Sequence, residues 1–157
     1  MERTIGKLLS WTAREAREVL EQRLQAAGGS FSTWLTLHQL DMHEGDRQRD
    51  LAELLCVEGS TMTRHLDRME AQGLIERRPD RDDRRGIRVY LTPAGRELEK
   101  ELTVVMNRSH QDLLHGLSVA EAEMLRDLLN RMRENVRSAA ESDGASSAER
   151  LRRRALA

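Results

Sequence analysis

The sequence is short of aromatic residues, proline, cysteine and long apolar runs. Aromatic side chains make up 3% of the 157 residues, too few for a Tyr- and Trp-lined cleft that stacks sugars or bases. Two prolines exclude a proline-rich or collagen-like scaffold. The single cysteine, Cys56, cannot form a disulfide within the chain, which fits a reducing compartment.

Signals for membranes and secretion are also lacking. No apolar run approaches the ~18 residues that span a bilayer, and the first residues lack the apolar stretch of a secretion signal. At roughly 100–200 residues per domain, the length is that of one domain, or of one domain with a tail. We therefore expect a cytoplasmic protein that does not bind membranes.

The common signatures of catalysis and of cofactor binding are missing as well. The sequence contains no HExxH, no CxxC, no glycine-rich phosphate loop and no Ser-His-Asp order. His110 and His115 are five residues apart, not the three or four that place two side chains on one helix face. We expect no enzyme activity, no metal site and no cofactor, and we expect Cys56 to be buried and unreactive.

Charge is balanced overall but concentrated locally. The formal net charge is −1, which by itself argues against a general polyanion binder. Between Arg77 and Arg88, however, six arginines stand against three aspartates. Arginine provides 24 of the 26 basic residues, as a GC-rich coding bias would produce, so its abundance alone carries no functional weight.

Apolar residues recur at helical spacing through most of the chain, and capping residues separate the segments. The capping signals are Gly28-Gly29, Ser30 or Ser32, Gly73, Thr92-Pro93 and an S-x-x-E capping box at Ser118. The predicted helices cover about 5–26, 33–43, 48–56, 60–72, 94–115 and 119–139. Residues 138–148 are rich in Ser, Ala, Gly and Glu, which predicts a mobile linker, and residues 149–157 are expected to be frayed or weakly helical. Together they predict a flexible basic tail over 141–157.

Between the fourth and fifth helices the pattern changes to that of strands. Residues 74–78 and 87–91 are short strand candidates on either side of the polar stretch 79–86. They predict a β-hairpin with an exposed tip. Two short helices, a helix with a polar outer face and a hairpin are the order of elements in a winged helix-turn-helix.

The fourth predicted helix has one apolar face, formed by Met62, Leu66 and Met69, and one face of hydroxyls and guanidiniums. Such a helix fits the major groove of DNA, where arginine can bind guanine through two hydrogen bonds, and a loop arginine can enter the adjacent minor groove. From these residues alone, the alternative is a solvated amphipathic helix beside a charged turn. The candidate DNA contacts are Ser60, Thr61, Thr63, Arg64 and Arg68 in the helix and Arg81, Asp83, Arg84 and Arg85 in the loop.

Three motifs in this region resemble those of the MarR (multiple antibiotic resistance regulator) family. Residues 51–55 read LAELL, similar to the family's LAxxL, and residues 60–75 read STMTRHLDRMEAQGLI, similar to STVTRxxDRLExxGLI. Residues 83–92 match the wing signature DxRxxxxxLT at every fixed position. One departure is Arg47, which stands where the family often has a Ser or Thr cap before helix three, with Asp46 as the nearest possible cap.

The resemblance implies a mainly α fold with a small β-hairpin wing, a winged helix-turn-helix of six helices that forms an intertwined dimer. It implies a single domain over 1–140, with dimerisation helices at about 5–26 and 94–139 and the winged helix-turn-helix at about 33–92. The fourth predicted helix would be the recognition helix, which enters the major groove. A homodimer would place two recognition helices one turn of DNA apart, ~34 Å, on a pseudo-palindromic operator in double-stranded DNA. One recognition helix alone contacts too few base pairs for typical specific affinities.

Within the wing, Asp83 has two interpretations: it braces Arg77 or Arg85 through a charge-assisted hydrogen bond, or it is an ordinary loop acid. The family signature favours bracing. Which of Arg84 and Arg85 enters the groove stays open.

Family members usually repress transcription and respond to an effector held between the dimer helices and the DNA-binding lobe. By this resemblance, Trp11, Arg14, Trp34 and His38 are candidate residues for a planar anionic or phenolic effector, with Arg17 as the alternative to Arg14. The alternative is that both tryptophans simply pack. The leading hypothesis is therefore a repressor released by a small aromatic or anionic effector. The alternatives are a metal- or redox-responsive regulator of the same fold and an architectural DNA-binding protein without an effector.

Overall fold

The computed structural model describes residues 4–43, 45–80, 83 and 86–155, with residues 142–155 described by their backbone alone. The predicted helices and the predicted hairpin are present, and the mainly α fold is confirmed. In chain order the elements are α1 (Ile5–Ala26), α2 (Phe31–Met42), β1 (Asp46–Arg47), α3 (Gln48–Leu54), α4 (Gly59–Ala71), β2 (Ile75–Pro79), β3 (Ile87–Leu91), α5 (Pro93–Leu114) and α6 (Val119–Ala155).

The chain divides into two compact units, one ending at Leu113 and one beginning at Leu114. The first unit contains α1 to α4, the strands and all but the last residue of α5, and the second contains α6. The single domain over 1–140 stays a prediction from the sequence.

The predicted capping residues account for several helix ends. After α1, Gly28 adopts φ +85° and the N–H of Gly29 donates to the carbonyl of Leu24 at 2.9 Å, a helix end that glycine permits. The hydroxyl of Ser30 accepts the N–H of Thr33 at 3.1 Å and so caps α2. The capping box before α6 is also formed, because Glu121 accepts the N–H of Ser118 at 2.8 Å.

Three features differ from the sequence-based expectations. The hairpin gains a third strand, β1, which pairs antiparallel with β3 and is too short to show a period-2 pattern. The predicted end of the last helix near Ala139 was too early: α6 continues to Ala155, through a stretch with four Ala and four Arg, both good helix formers, and no proline. Cys56 is exposed, not buried, because it follows the end of α3 in a turn with φ +53°.

Buried side chains from the helices and the sheet form the core of the first unit. The largest come from α1 (Leu24), α2 (Leu37, Leu40), α3 (Leu51), α4 (Met62, Leu66, Met69), β3 (Val89) and α5 (Leu102). At Gly95, in the first turn of α5, an added Cβ would overlap the carbonyl oxygen of Leu74. Glycine at this position therefore permits the close approach of α5 to the chain that leads into β2.

Large apolar side chains stay exposed along α1 and α6. Their exposed fractions run from 38% for Leu129 to 77% for Val119. An exposed apolar surface on a helix often marks a place where another molecule binds. The exposed set is Ile5, Leu8, Leu9, Trp11 and Val19 in α1 and Val119, Met124, Leu125, Leu128, Leu129 and Val136 in α6.

Candidate nucleic-acid interface

Helix α4 separates its apolar and polar side chains as the sequence predicted. Its apolar stripe of Met62, Leu66 and Met69 is at most 1% exposed and anchors the helix in the core. Among the described residues, neither arginine of the opposite face takes part in an ion pair, so both guanidiniums are available to bind a ligand. The exposed side chains of that face are Ser60, Thr61, Arg64 and Arg68.

Thr63, also predicted to contact DNA, has a role within the protein. Its hydroxyl donates to the carbonyl of Gly59 and accepts a hydrogen bond from Nε2 of Gln48, each at 2.9 Å. Gln48 is the first residue of α3. The threonine therefore ties α3 to the first turn of α4 and helps to fix the angle between the two helices.

His65 connects α4 to α2. Its Nε2 lies 3.3 Å from the hydroxyl of Thr36, a fully buried residue. Burial lowers the pKa of His65 below its ordinary value, a hydrogen bond with the backbone of Ser32 opposes this shift, and the positive charge of Arg68 adds to it. The imidazole is therefore neutral at pH 7 and acts as part of the packing between α4 and α2.

Arg77 in β2 is held by two acids of α4. Its guanidinium binds Glu70 at 2.7 Å and also Asp67, and its backbone N–H donates to Glu70 at 2.9 Å. The hydrogen bonds from Arg77 lower the pKa of Glu70. Arg77 therefore joins the wing to α4. Asp83, which the sequence suggested as the brace of Arg77 or Arg85, is not among these contacts of Arg77.

The base of the wing contains a buried acid that the sequence did not single out. Asp80 follows β2 directly, and its side chain is 0% exposed. Its carboxylate contacts Arg47 Nε at 2.9 Å and Arg88 Nε at 3.1 Å. The sequence offered no signal for this role, because Asp80, Asp82 and Asp83 look alike in the polar loop.

The loop of the wing closes between Asp80 and Gly86. The N–H of Asp80 donates to the carbonyl of Gly86 at 2.9 Å, and the N–H of Gly86 donates to the carbonyl of Asp83 at 2.8 Å. Asp83 also borders a cleft of about 260 Å³ together with Arg47 and Gly59, beside the beginnings of α3 and α4. The predicted wing contacts Arg81, Arg84 and Arg85 lie outside the described residues.

Two of the predicted effector residues, Trp34 and His38, form an internal network between α2 and α5. Their rings stack at 5.2 Å between centroids. Trp34 Nε1 donates to the hydroxyl of Thr103 at 2.9 Å, and Nδ1 of His38 lies 2.9 Å from the carboxylate of Glu99, a buried residue. Thr103 also donates to Glu99, at 2.7 Å, so all four side chains are linked.

The other two predicted effector residues lie on α1. Trp11 is 42% exposed, and Arg14 is exposed beside Glu18 with 3.8 Å between the charged atoms. None of the four predicted residues borders the groove of about 550 Å³ that runs between α1 and α5. Most of the exposed wall of that groove is apolar, but charged side chains also line it: Glu15, Glu21, Arg23, Asp112 and Arg17, whose guanidinium lies 5.6 Å from the ring centre of Phe31.

In the part of the chain that the structure describes, no three or more side chains of His, Cys, Asp or Glu come together as metal ligands. In the same residues, no helix combines the length and the apolar character needed to cross a bilayer.

Comparisons with known proteins agree with this architecture. A family model described as the MarR family matches residues 30–87. A MarR-family transcriptional regulator from Silicibacter pomeroyi is 32% identical, with 85% of this chain and 90% of that chain covered and a TM-score of 0.67.

Two similar structures contain DNA. The S. aureus MepR–DNA complex is 28% identical to this chain, covers 85% of this chain and 99% of that chain, and has a TM-score of 0.77. A mutant MarR from E. coli complexed with operator DNA is 25% identical, covers 82% and 92% of the two chains, and has a TM-score of 0.73.

The winged helix-turn-helix predicted from the sequence is thereby confirmed, and so is the resemblance that its motifs carry. The proteins in these matches are transcriptional regulators and not enzymes, which agrees with the expectation that this chain is not an enzyme. The chain belongs to the MarR family of transcriptional regulators.

Proposed function

We propose that the chain is a transcriptional repressor that binds a pseudo-palindromic operator in double-stranded DNA as a homodimer and leaves it when a small aromatic or anionic effector binds. The observation that carries DNA binding is the division of α4 into a buried apolar face and an outer face with two exposed arginines. The DNA-bound states of the similar S. aureus and E. coli proteins support the same role for this chain.

In this proposal α4 enters the major groove. Arg64 and Arg68 read base edges, because a guanidinium can form two hydrogen bonds with guanine. Ser60 and Thr61, in the first turn of α4, bind phosphate oxygens together with the unpaired N–H groups of the helix start. Thr63 contributes mainly through its bond to α3.

The wing provides the second part of the proposed interface. Arg81, Arg84 and Arg85 add positive charge for the phosphates and for the adjacent minor groove, where narrow A·T-rich tracts attract guanidinium groups. Asp83 shapes the loop by accepting the N–H of Gly86 through its carbonyl. The paired residues Arg77 and Arg88 support the wing and do not contact bases.

The proposed homodimer rests on the exposed apolar side chains of α1 and α6. Val119 is 77% exposed, Val136 69% and Ile5 66% in the single chain, and a second copy would remove such surfaces from water. A two-fold dimer also explains how a short recognition helix reaches specific affinity, since it presents two copies of α4 about one turn of DNA apart, ~34 Å. Dimers are typical of the MarR family.

For the effector, we propose the groove between α1 and α5 as the main site. Its volume of about 550 Å³ suits a small aromatic acid, its wall is mostly apolar, and Arg17 beside Phe31 provides a cation next to a ring. Phe31 lines this groove, and its ring centre is 5.8 Å from that of Trp34. Trp34 in turn stacks on His38. Trp11 and Arg14 are proposed to border the site in the dimer.

Binding of purified protein to the DNA upstream of its own gene tests the proposal. We expect a gel shift of one defined fragment, a dimer in analytical ultracentrifugation, and release by one class among phenols, aromatic acids and purines. Zinc and an oxidant belong in the same screen, because a metal- or redox-responsive regulator would answer to them instead. Equal binding to all fragments would favour an architectural protein, and binding to none would refute the proposal. The cytoplasmic location expected from the sequence fits a regulator of this kind.

A further inference from the structure

Two arginines on neighbouring strands share the buried carboxylate of Asp80. In the pairing of β1 with β3, Arg47 lies directly opposite Arg88. Arg47 Nε contacts one carboxylate oxygen of Asp80 at 2.9 Å, and Arg88 Nε contacts the other at 3.1 Å. Arg88 also donates to the carbonyl of Gly45 at 2.9 Å.

The electrostatics make the three side chains depend on one another. Two like charges directly opposite each other on adjacent strands repel, and a carboxylate with no exposed surface is stable only with charged partners. Asp80 therefore neutralises the repulsion between Arg47 and Arg88, and the two guanidiniums compensate its burial. Removing the carboxylate leaves two half-buried cations on directly opposite positions of neighbouring strands.

The three residues belong to three different parts of the DNA-binding lobe. Arg47 immediately precedes α3, Arg88 lies in the central strand β3, and Asp80 is the first residue of the wing loop. Arg47 stands where the family often has a Ser or Thr cap, and its side chain does not cap α3. It contacts Asp80 at the base of the wing instead.

We propose that Asp80 is a positioning residue for operator binding: its carboxylate, held by Arg47 and Arg88, fixes the base of the wing relative to α3 and α4. The inference rests on the proposed DNA-binding function. It adds that the wing and the recognition helix bind the operator as one rigid piece, so that a change at Asp80, which contacts no DNA, alters where the wing meets the duplex.

The first test is the substitution Asp80→Asn, measured by hydroxyl-radical footprinting on the operator. We expect protection in the minor groove flanking each half-site to disappear while protection at the half-site centres, contacted by α4, remains. The slope of log K against log salt should fall by ~0.9 for each phosphate contact that the wing loses. Combined with the double substitution Arg84→Ala and Arg85→Ala, Asp80→Asn should cost little further affinity. If Asp80 has only a structural role, Asp80→Asn should weaken protection uniformly over the whole operator. Its loss of affinity should then also multiply with that of the double substitution in the wing. These results would overturn the proposal.

A second variant keeps the proposal testable if Asp80→Asn does not fold. Arg47→Gln removes one of the two guanidiniums that contact Asp80. The carboxylate stays paired with Arg88, so no buried charge is left without a partner of opposite charge. We expect it to reduce the flanking protection, whereas the matched control Arg49→Gln, an exposed arginine in α3 paired with its neighbour Asp50, should leave the footprint unchanged. Equal footprints for Arg47→Gln and wild type would refute the inference alone. A wild-type protein without any footprint would refute the proposed function itself.

Discussion

Replacing Arg64 by alanine gives the sharpest prediction about DNA recognition. Arg64 is exposed on the outer face of α4, in the turn that also contains the buried Met62 and Leu66. Among the described residues it forms no ion pair, so its removal leaves no partner unpaired and should barely change the free energy of unfolding. An effect on DNA binding would therefore report contact with DNA and not damage to the fold.

The magnitude follows from the geometry of a dimer. A side chain that makes two hydrogen bonds to guanine contributes roughly 1–3 kcal/mol to discrimination of that base. A two-fold dimer inserts Arg64 twice, so the loss doubles to about 2–6 kcal/mol per operator when the two half-sites act independently. At 1.4 kcal/mol per tenfold, the dissociation constant should rise by at least about thirtyfold.

Fluorescence anisotropy with the operator and with its single-base variants, at one fixed salt concentration, measures this effect. Arg64→Ala should lose affinity and also lose its preference at one base pair in each half-site, while its affinity for random DNA stays near that of wild type. Arg108→Ala is the control, because Arg108 is an exposed arginine of α5 that lies outside α4 and the wing and does not line the groove between α1 and α5. If Arg64→Ala binds the operator and every single-base variant as wild type does, the assignment of α4's outer face as the recognition surface is wrong.

Three further predictions concern the packing behind that surface. Leu66→Ala should lower the free energy of unfolding by about 2–5 kcal/mol in urea titrations, whereas Met42→Ala, at a residue 66% exposed, should change it by less than about 0.5 kcal/mol; equal effects would contradict the assigned core. His65 has a lowered pKa in the folded chain, so its contribution to stability is fully present above the unfolded-state value of 6.5 and declines as pH falls below it. The difference in unfolding free energy between wild type and His65→Gln, from urea titrations at pH 8 and pH 5.5, should therefore shrink toward the acid side, and a pH-independent difference would contradict the burial of the imidazole. Gly95→Ala should lower the melting temperature measured by circular dichroism, because its Cβ would overlap the carbonyl oxygen of Leu74, and an unchanged melting temperature would show that α5 can move away freely.

The helices, their capped ends and the two faces of α4 could be predicted from local sequence patterns. Each of these depends on residues a few positions apart: the spacing of Met62, Leu66 and Met69, or the pairing of Ser118 with Glu121. Such rules are local, so they can be applied before the fold is known. The motifs that resemble the MarR family added the hairpin's role and the order of the elements.

Only the tertiary structure decided which charged side chains pair and which stay exposed. Asp80 and Asp83 look equivalent in the sequence, yet Asp80 is buried between arginines from β1 and β3. His38 meets Glu99 across 61 residues of chain, and this contact uses a side chain that the sequence suggested for an effector. The partner of an arginine or a carboxylate depends on which distant elements pack together, and the energy of the pair depends on how deeply it is buried. The local sequence pattern determines neither the partner nor the burial.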